Sequence, residues 1–385
     1  MAGRRGPGGC LSAAGDRPAP VAHAGAHPDR GSPLRREPRP PPSGLALTDQ
    51  PAPGSFPGSG LVPAPRAVTE SCMSSAASFP LVSVVVPVLD GALEIERLLK
   101  SLLALDWPEE RLEILVVDNG SRDGTAAVAA RYPVRVLEET MVASSYAARN
   151  RGLAEARGDW IAFTDADCVV EPDWLRRLLL PAPPARVGAV AGEVLALEGE
   201  TPVQRLVERY GIMKHAVTLP HKALPCFSTA NVAVRHDLLR DLHGFRDDVR
   251  YFADMELSWR LQIEGGREIL FRPDAVVRHR HRRTWGALWR QGVQHGRGVA
   301  FMKRTYPDHY RIHPGEQVRR LQGLAGAMGR TVTAGRGTDT GWAPLFLMLW
   351  YSGLLAGYLM GPAPSRKLRG HSGANTPGPT KGHGT

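Results

Sequence analysis

Trp160–Val170 reads WIAFTDADCVV, an apolar run that closes on two aspartates, Asp165 and Asp167, with one alanine between them. Bulky residues with no 3.6-residue period predict a strand buried on both faces. In extended backbone residues i and i+2 share a side, so the two carboxylates point the same way. They stand where the strand leaves its sheet, the edge at which open α/β sheets hold ligands. Two like charges beside a buried strand are costly unless a cation lies between them. A hard divalent ion with oxygen ligands fits, and Mg²⁺ held in this way usually also carries substrate phosphates. The stretch predicts a metal–diphosphate site.

Outward from this run, strand and helix signals alternate. Leu81–Val88 and Leu112–Asp118 are aliphatic strands, VRVLEE is a short third, and GALEIERLLKSLLALD has helical spacing. NGSRDGT is a turn rich in cap-forming residues that starts a helix. Ser144–Arg157 is an alanine-rich helix with Gly158 at its C′ position. Repeated strand–helix units imply a mostly parallel sheet covered on both faces. Further on, VGAVAGEV and STANVAV read as strands, Ala253–Glu264 as a helix, and REILF and AVVRH as two short strands. A nucleotide-binding half followed by an acceptor-shaping half would end this way.

The first 72 residues hold 14 of the 33 prolines and few aliphatic clusters, so they cannot offset their chain entropy and are expected to be disordered. They lack the apolar core of a signal peptide. Met73 opens the strand-like text and is a candidate start. The formal charge is +10, but the arginines are scattered, without the stripe and aromatics of a nucleic-acid reader, so no nucleic-acid partner is expected. A basic chain suits anionic membranes or phosphorylated substrates. Cys10, Cys72, Cys168 and Cys226 have no metal-ligand spacing, which fits a reduced, cytosolic compartment.

SVVVPVLDG, ILVVDNGSRDGT, AARNRGLAEARGDWIAFTDAD, ANVAVR and ADMELSWRL, in this order, resemble family-2 glycosyltransferases of the GT-A fold over roughly Ser83 to Arg297. The resemblance implies an α/β fold with a Rossmann-like nucleotide-binding half, a mixed, mainly parallel sheet and an acceptor half. It implies a hexosyltransferase that uses a nucleotide-diphosphate sugar, inverts the anomeric centre and needs Mg²⁺ or Mn²⁺. Asp167 would bind the metal and Asp165 the ribose. Pro87 and Asp90 would flank the donor, although the family often carries Asn-Glu where this chain has Asp90-Gly91. Asp118 would meet the base or ribose, or simply cap the next helix. Arg149 would reach the diphosphate, or pair with Asp159 or Glu155. Asn231 falls where the family lines its acceptor site, and is a candidate for binding the nucleotide sugar, or hydrogen-bonds backbone at a strand end. His279, in a run with His281 and four arginines, is a candidate metal ligand.

Related enzymes usually carry Glu-Asp at Ala253-Asp254, their Asp being the catalytic base, so Asp254 is the candidate base here or else a helix cap. Glu256 sits four residues before Arg260, an ordinary helical pair. Gln291 and His295–Gly298 also look family-like, with no assignable chemistry. The Gln-x-x-Arg-Trp motif of polymerising relatives is absent, which argues against a processive synthase. Two other classes share parts of this pattern. A nucleotidyltransferase would show a Gly-rich basic loop where this chain has PVLDGALEIERL; a catalytically silent sugar-nucleotide scaffold is suggested by Ala253.

Trp342–Gly361, WAPLFLMLWYSGLLAGYLMG, carries no charge and is long enough to cross a bilayer. Gly353, Gly357 and Gly361 form a small-residue face suited to helix contact. A buried core helix would read the same. With a cytosolic active site, spanning would leave Arg366, Lys367 and Arg369 outside, against the positive-inside tendency, so an in-plane anchor stays open. The expected layout is a Pro/Gly/Arg-rich tail (1–78), a GT-A domain (79–310), a linker or helical region (311–341), a membrane-associating segment (342–361) and a basic tail (362–385). The expected location is the cytoplasmic face of a membrane, in cell-envelope glycan synthesis, with a glycan or lipid acceptor.

Overall fold

The computed structural model describes residues 79–197, 199–219, 224–310 and 339–367. The expected tail (1–78), most of the expected linker and residues 368–385 lie outside them.

The first strand, β1 (Val82–Val88), is buried along its whole length. Its residues divide by the strand's period of two. Val82, Val84, Val86 and Val88 enter one apolar cluster with helix α1 (Ala92–Leu102), while Val85 enters the cluster on the other face. Two buried faces explain why the run shows no alternation of apolar and polar residues. Strand β2 (Leu112–Asp118) pairs parallel with β1, and β3 (Arg135–Glu138) pairs parallel with β2. Helix α2 (Thr125–Ala129), the two-residue β4 (Val142–Ala143) and helix α3 (Ser145–Glu155) lead into β5 (Trp160–Phe163), parallel to β1 on its other side.

The decisive stretch breaks at its aspartates. β5 ends at Phe163, and Cys168–Val170 forms a separate edge strand, β6. Helix α4 (Trp174–Leu179) follows, then β7 (Val187–Ala196), α5 (Pro202–Arg209), α6 (His215–Thr218), β8 (Val232–Arg235), α7 (His236–Asp241) and α8 (Ala253–Ile263). REILF and AVVRH turn out to be one long strand, β9 (Glu268–His279), whose register against β7 shifts at Gly192/Glu193. The shift lets one strand pass Arg272–Ala275 without losing its partner.

The eight strands run in the order β3-β2-β1-β5-β8-β7-β9-β6. The nucleotide-side half is parallel; β8 enters antiparallel to both β5 and β7, and β6 antiparallel to β9. The sheet is therefore mixed α/β, as the resemblance implied.

Gly158 differs in its reason from expectation. Its φ is not left-handed; a Cβ there would lie 2.4 Å from the Ser83 nitrogen. Glycine is required because backbone meets backbone at the entry to β5, not because a helix needs a left-handed cap.

Helix α9 (Trp285–Thr305) and helix α10 (Asp339–Met360) run side by side and parallel. Added Cβ atoms at Gly296 and Gly357 would fall 2.0 Å from carbonyl oxygens of Leu354 and Val293, so the contact is backbone on backbone. The glycine face of α10 is thus spent within the chain. Phe346, Leu347, Trp350 and Tyr351 are buried with Val203, Leu206 and Val207 of α5 and Leu288 of α9. Beyond the helix, Arg366–Lys367 (β10) pairs antiparallel with β4, so the start of the expected basic tail is part of the fold.

Candidate active site

Parallel strands leave all their carboxyl ends on one edge, and there lies a cleft of about 860 Å³. Pro87, Asp90, Arg149, Asp165, Asp167, Asp254 and His279 all line it. Residues far apart in the chain, each expected at the site, are thus brought to one place.

Asp165 and Asp167 stand on the loop between β5 and β6. Arg149 lies within α3, only 3% exposed, and its Nη2 donates to Asp165 Oδ1. The alternatives for Arg149 are taken otherwise: Asp159 accepts from the Leu81 amide at 3.1 Å, and Glu155 binds Arg151 and Arg135. One helical turn before Arg149, Tyr146 shares its face of α3. The guanidinium lies 5.4 Å from the Tyr146 ring centroid, and the Tyr146 hydroxyl donates to Asp254 Oδ1 at 3.0 Å. Tyr146 was not singled out by sequence; its i, i+3 spacing to Arg149 was the available signal.

Asp254 sits in the first turn of α8. Its Oδ1 also accepts from the Met255 amide at 2.9 Å. Burial raises its pKa above the ordinary aspartate value, partly opposed by the nearby Arg149 charge and by these hydrogen bonds. Burial likewise raises the Tyr146 phenol well above its usual value, aided by the Asp254 charge, so the phenol stays a donor. Glu256 departs from expectation. It is 2% exposed, holds Arg260 through two contacts at 2.9 and 3.1 Å, and accepts from the Tyr306 hydroxyl at 3.2 Å. Arg260 also donates to the carbonyls of Leu242 and Gly244. What looked like a surface pair is the buried knot that ties α8 to the loop after α7.

His279 ends β9 beside Asp167, with Nε2 3.3 Å from Asp167 Oδ1. Two ligand atoms of one octahedral ion lie about 3 Å apart, so this pair is spaced as co-ligands are. The Nδ1 of His279 is buried without a hydrogen-bond partner among the described residues. A carboxylate and an imidazole at this spacing fit a divalent metal; the Cys168 thiol close by is fully buried, and burial, with the Asp167 and Asp165 charges, pushes its pKa well up. The oxygen and nitrogen of Asp167 and His279 are the donors suited to a hard divalent ion, with the softer Cys168 sulfur beside them.

Two expected residues do not line the cleft. Asp118 accepts from both the amide and the hydroxyl of Ser121, shaping the loop after β2, while Asp90 accepts from the Arg122 amide at 2.8 Å in that same loop. Asn231 is fully buried; it accepts from Trp174 Nε1 and donates to the carbonyls of Glu193 and Ala275, each at 2.8 Å. Its amide is consumed inside the sheet, at the place where β7 and β9 change register.

A second polar set lies beside the cleft, which His215 lines. His215 holds the Gly192 carbonyl through Nδ1 at 2.6 Å and accepts the Ser228 amide through Nε2 at 2.7 Å. Burial lowers its pKa to about 4 despite the bond to Gly192. Burial would raise Glu208, but hydrogen bonds from His281 and Lys214 bring it down to about 2.

Residues 83–243 match the model of glycosyl transferase family 2. The chain is 34% identical over 238 residues to a pre-mycofactocin glycosyltransferase of Mycobacterium tuberculosis, covering 59% of this chain and 48% of that one. It is 30% identical over 229 residues to glycosyltransferase AglE of Haloferax volcanii, covering 57% of this chain and 73% of that protein. In fold it is similar to the mannosyltransferase PcManGT of Pyrobaculum calidifontis, solved with GDP-Man and Mn²⁺, at 24% identity and a TM-score of 0.53 over 73% of this chain and 86% of that one. The chain belongs to the family-2 glycosyltransferases, with the GT-A fold. It spans about half the length of the mycobacterial relative, and Asp254 lies beyond the residues that the family model matches.

Proposed function

We propose that the chain moves a hexose from a nucleotide-diphosphate sugar to an acceptor hydroxyl with inversion, metal-assisted and non-processive. The observation that carries this reading is the link through α3: Arg149 bonds Asp165 on the donor side, and Tyr146 bonds Asp254 on the other side of the same cleft. In the displacement, the acceptor oxygen bonds the anomeric carbon as the bond from that carbon to the diphosphate oxygen breaks. The hydroxyl proton passes to Asp254, whose burial-raised pKa brings it nearer the working pH of a general base. Asp167 and His279 would hold the divalent ion, which when bound offsets the charge that grows on the leaving diphosphate. The complex of PcManGT with GDP-Man and Mn²⁺ supports this pairing of donor and metal. Absence of Gln-x-x-Arg-Trp supports single transfers.

We further propose attachment to the cytoplasmic face of a membrane through α10, lying in the plane, with a glycan or lipid acceptor of the cell envelope. Gly341–Met360 is apolar enough to cross, but only 33% buried. Both of its ends dock on the domain: Trp342 rests on Trp285 with ring centroids 5.8 Å apart, and Ala363 accepts from the Arg250 amide just after the helix. A crossing helix would put its two ends on opposite sides of a hydrocarbon core of about 30 Å, where one domain could not hold both. In-plane burial of the outer face leaves both ends on the same side, docked as they are here.

A silent scaffold is the second reading, favoured by Ala253, which is fully buried where the family resemblance implies an acid. Thermal shifts with UDP-, GDP- and dTDP-sugars, with and without Mn²⁺, test the donor; metal-dependent hydrolysis of the donor that binds separates enzyme from scaffold. No shift with any donor would overturn both readings.

A further inference from the structure

Phe252 precedes α8, two residues before Asp254, and its backbone is left-handed at φ 67° and ψ 21°. A bulky residue keeps that conformation only where its surroundings impose it. Its carbonyl accepts the Glu256 amide at 2.9 Å as the first bond of α8, so the left-handed residue is the point at which the chain turns into the helix.

Its ring is the first of three in series. Phe252 stands edge-on to His295 of α9, with centroids 5.2 Å apart, and His295 meets Trp350 of α10 at 5.0 Å. Gly298 offers bare backbone under the Phe252 ring; a Cβ there would fall 2.4 Å from it. The glycine contact between α9 and α10 fixes how far Trp350 stands from His295. Phe252, His295 and Asp254 line the cleft, whereas Trp350 does not.

We propose that Phe252 is a positioning residue for Asp254, and that α10 sets it from outside the cleft through Trp350 and His295. The inference rests on Asp254 being the base. It makes the C-terminal helix part of the catalytic geometry as well as a surface for attachment.

The test combines hydrogen–deuterium exchange over residues 250–257 with Mn²⁺-dependent hydrolysis of the sugar nucleotide that the donor screen selects, water serving as acceptor. Trp350→Ala should speed exchange in that segment and lower kcat by roughly 10- to 100-fold, the scale of a misplaced reacting group, with the donor KM unchanged. Trp350→Phe should retain both properties, as should Leu359→Ala on the exposed side of α10. Phe252→Ala leaves the packing of α10 on α9 intact and should behave as Trp350→Ala does, which keeps the test decisive if the tryptophan variant unfolds. Wild-type exchange and kcat in Phe252→Ala, with hydrolysis slowed in Asp254→Asn, would overturn the positioning role and leave the base standing. Normal hydrolysis in Asp254→Asn would overturn the base and the positioning role together.

Discussion

Asp254 takes two hydrogen bonds on one oxygen, and burial raises its pKa; together these fix the sign of the pH dependence. A base works only when ionised, so turnover should fall on the acid side at a pH above the ordinary aspartate value of about 3.9. Tyr146→Phe removes a hydrogen bond to the charged form, which raises that pKa further, and the acid limb of kcat should move upward. A limb that stays in place or moves down would show that Tyr146 does not hold the base. Asp254→Asn should lower turnover by about 10²–10⁴-fold with donor affinity little changed, read by steady-state kinetics and calorimetry. Glu256→Gln should act on stability instead. Breaking one side of a buried ion pair costs about 3–5 kcal/mol, far more than the exposed helical pair its spacing suggested. A denaturant titration checks this. Spacing could name the Glu256–Arg260 pair but not its burial, because Tyr306, Leu242 and Gly244 reach it from distant parts of the chain. Arg149 illustrates the same limit: the diphosphate, Asp159 and Glu155 were the partners its spacing offered, and the fold pairs it with Asp165, which was not among them.

At the scale of elements, strands whose apolar runs stand alone were legible, and those whose identity depends on pairing were not. β1 and β2 are buried along most of their length and read directly as aliphatic text. β6 exists only because β9 lies beside it, and β9 is continuous only because β7 shifts register. Composition alone left α10 ambiguous because both of its faces are apolar. One face is packed on α5 and α9, so deleting Trp342 onward should expose Val203, Leu206, Val207 and Leu288 and cause aggregation and a lower melting temperature. The opposite face can be tested without that damage. Leu359→Glu, at a position 74% exposed, should weaken vesicle flotation and leave the melting temperature unchanged. The loop held by His215 should respond to acid. Its folded pKa of about 4 lies below the unfolded value near 6.5, so the unfolded chain binds the extra proton between those values and stability falls as pH drops from 6.5 to 4. His215→Gln should flatten that part of the stability curve.

For the whole molecule, a mixed sheet gathers Asp165, Asp167 and Asp254, far apart in sequence, around one cleft, and α9 packs on both α8 and α10. Ordered motifs made the family and the fold readable, whether they lie at a strand end, as Asp118 does, or on a helix, as Arg149 and Asp254 do. The roles of Tyr146, His215 and Phe252 needed tertiary contacts that no local pattern encodes. Metal-dependent donor binding tests the proposal most directly. Calorimetric titration with the sugar nucleotide chosen by thermal shift, with and without Mn²⁺, should show clear metal-dependent binding in the wild type and none in a folded Asp167→Asn variant, because an amide cannot replace the carboxylate charge. Equal donor affinity in both proteins, whether Mn²⁺ is present or not, would contradict a metal–diphosphate site at Asp167.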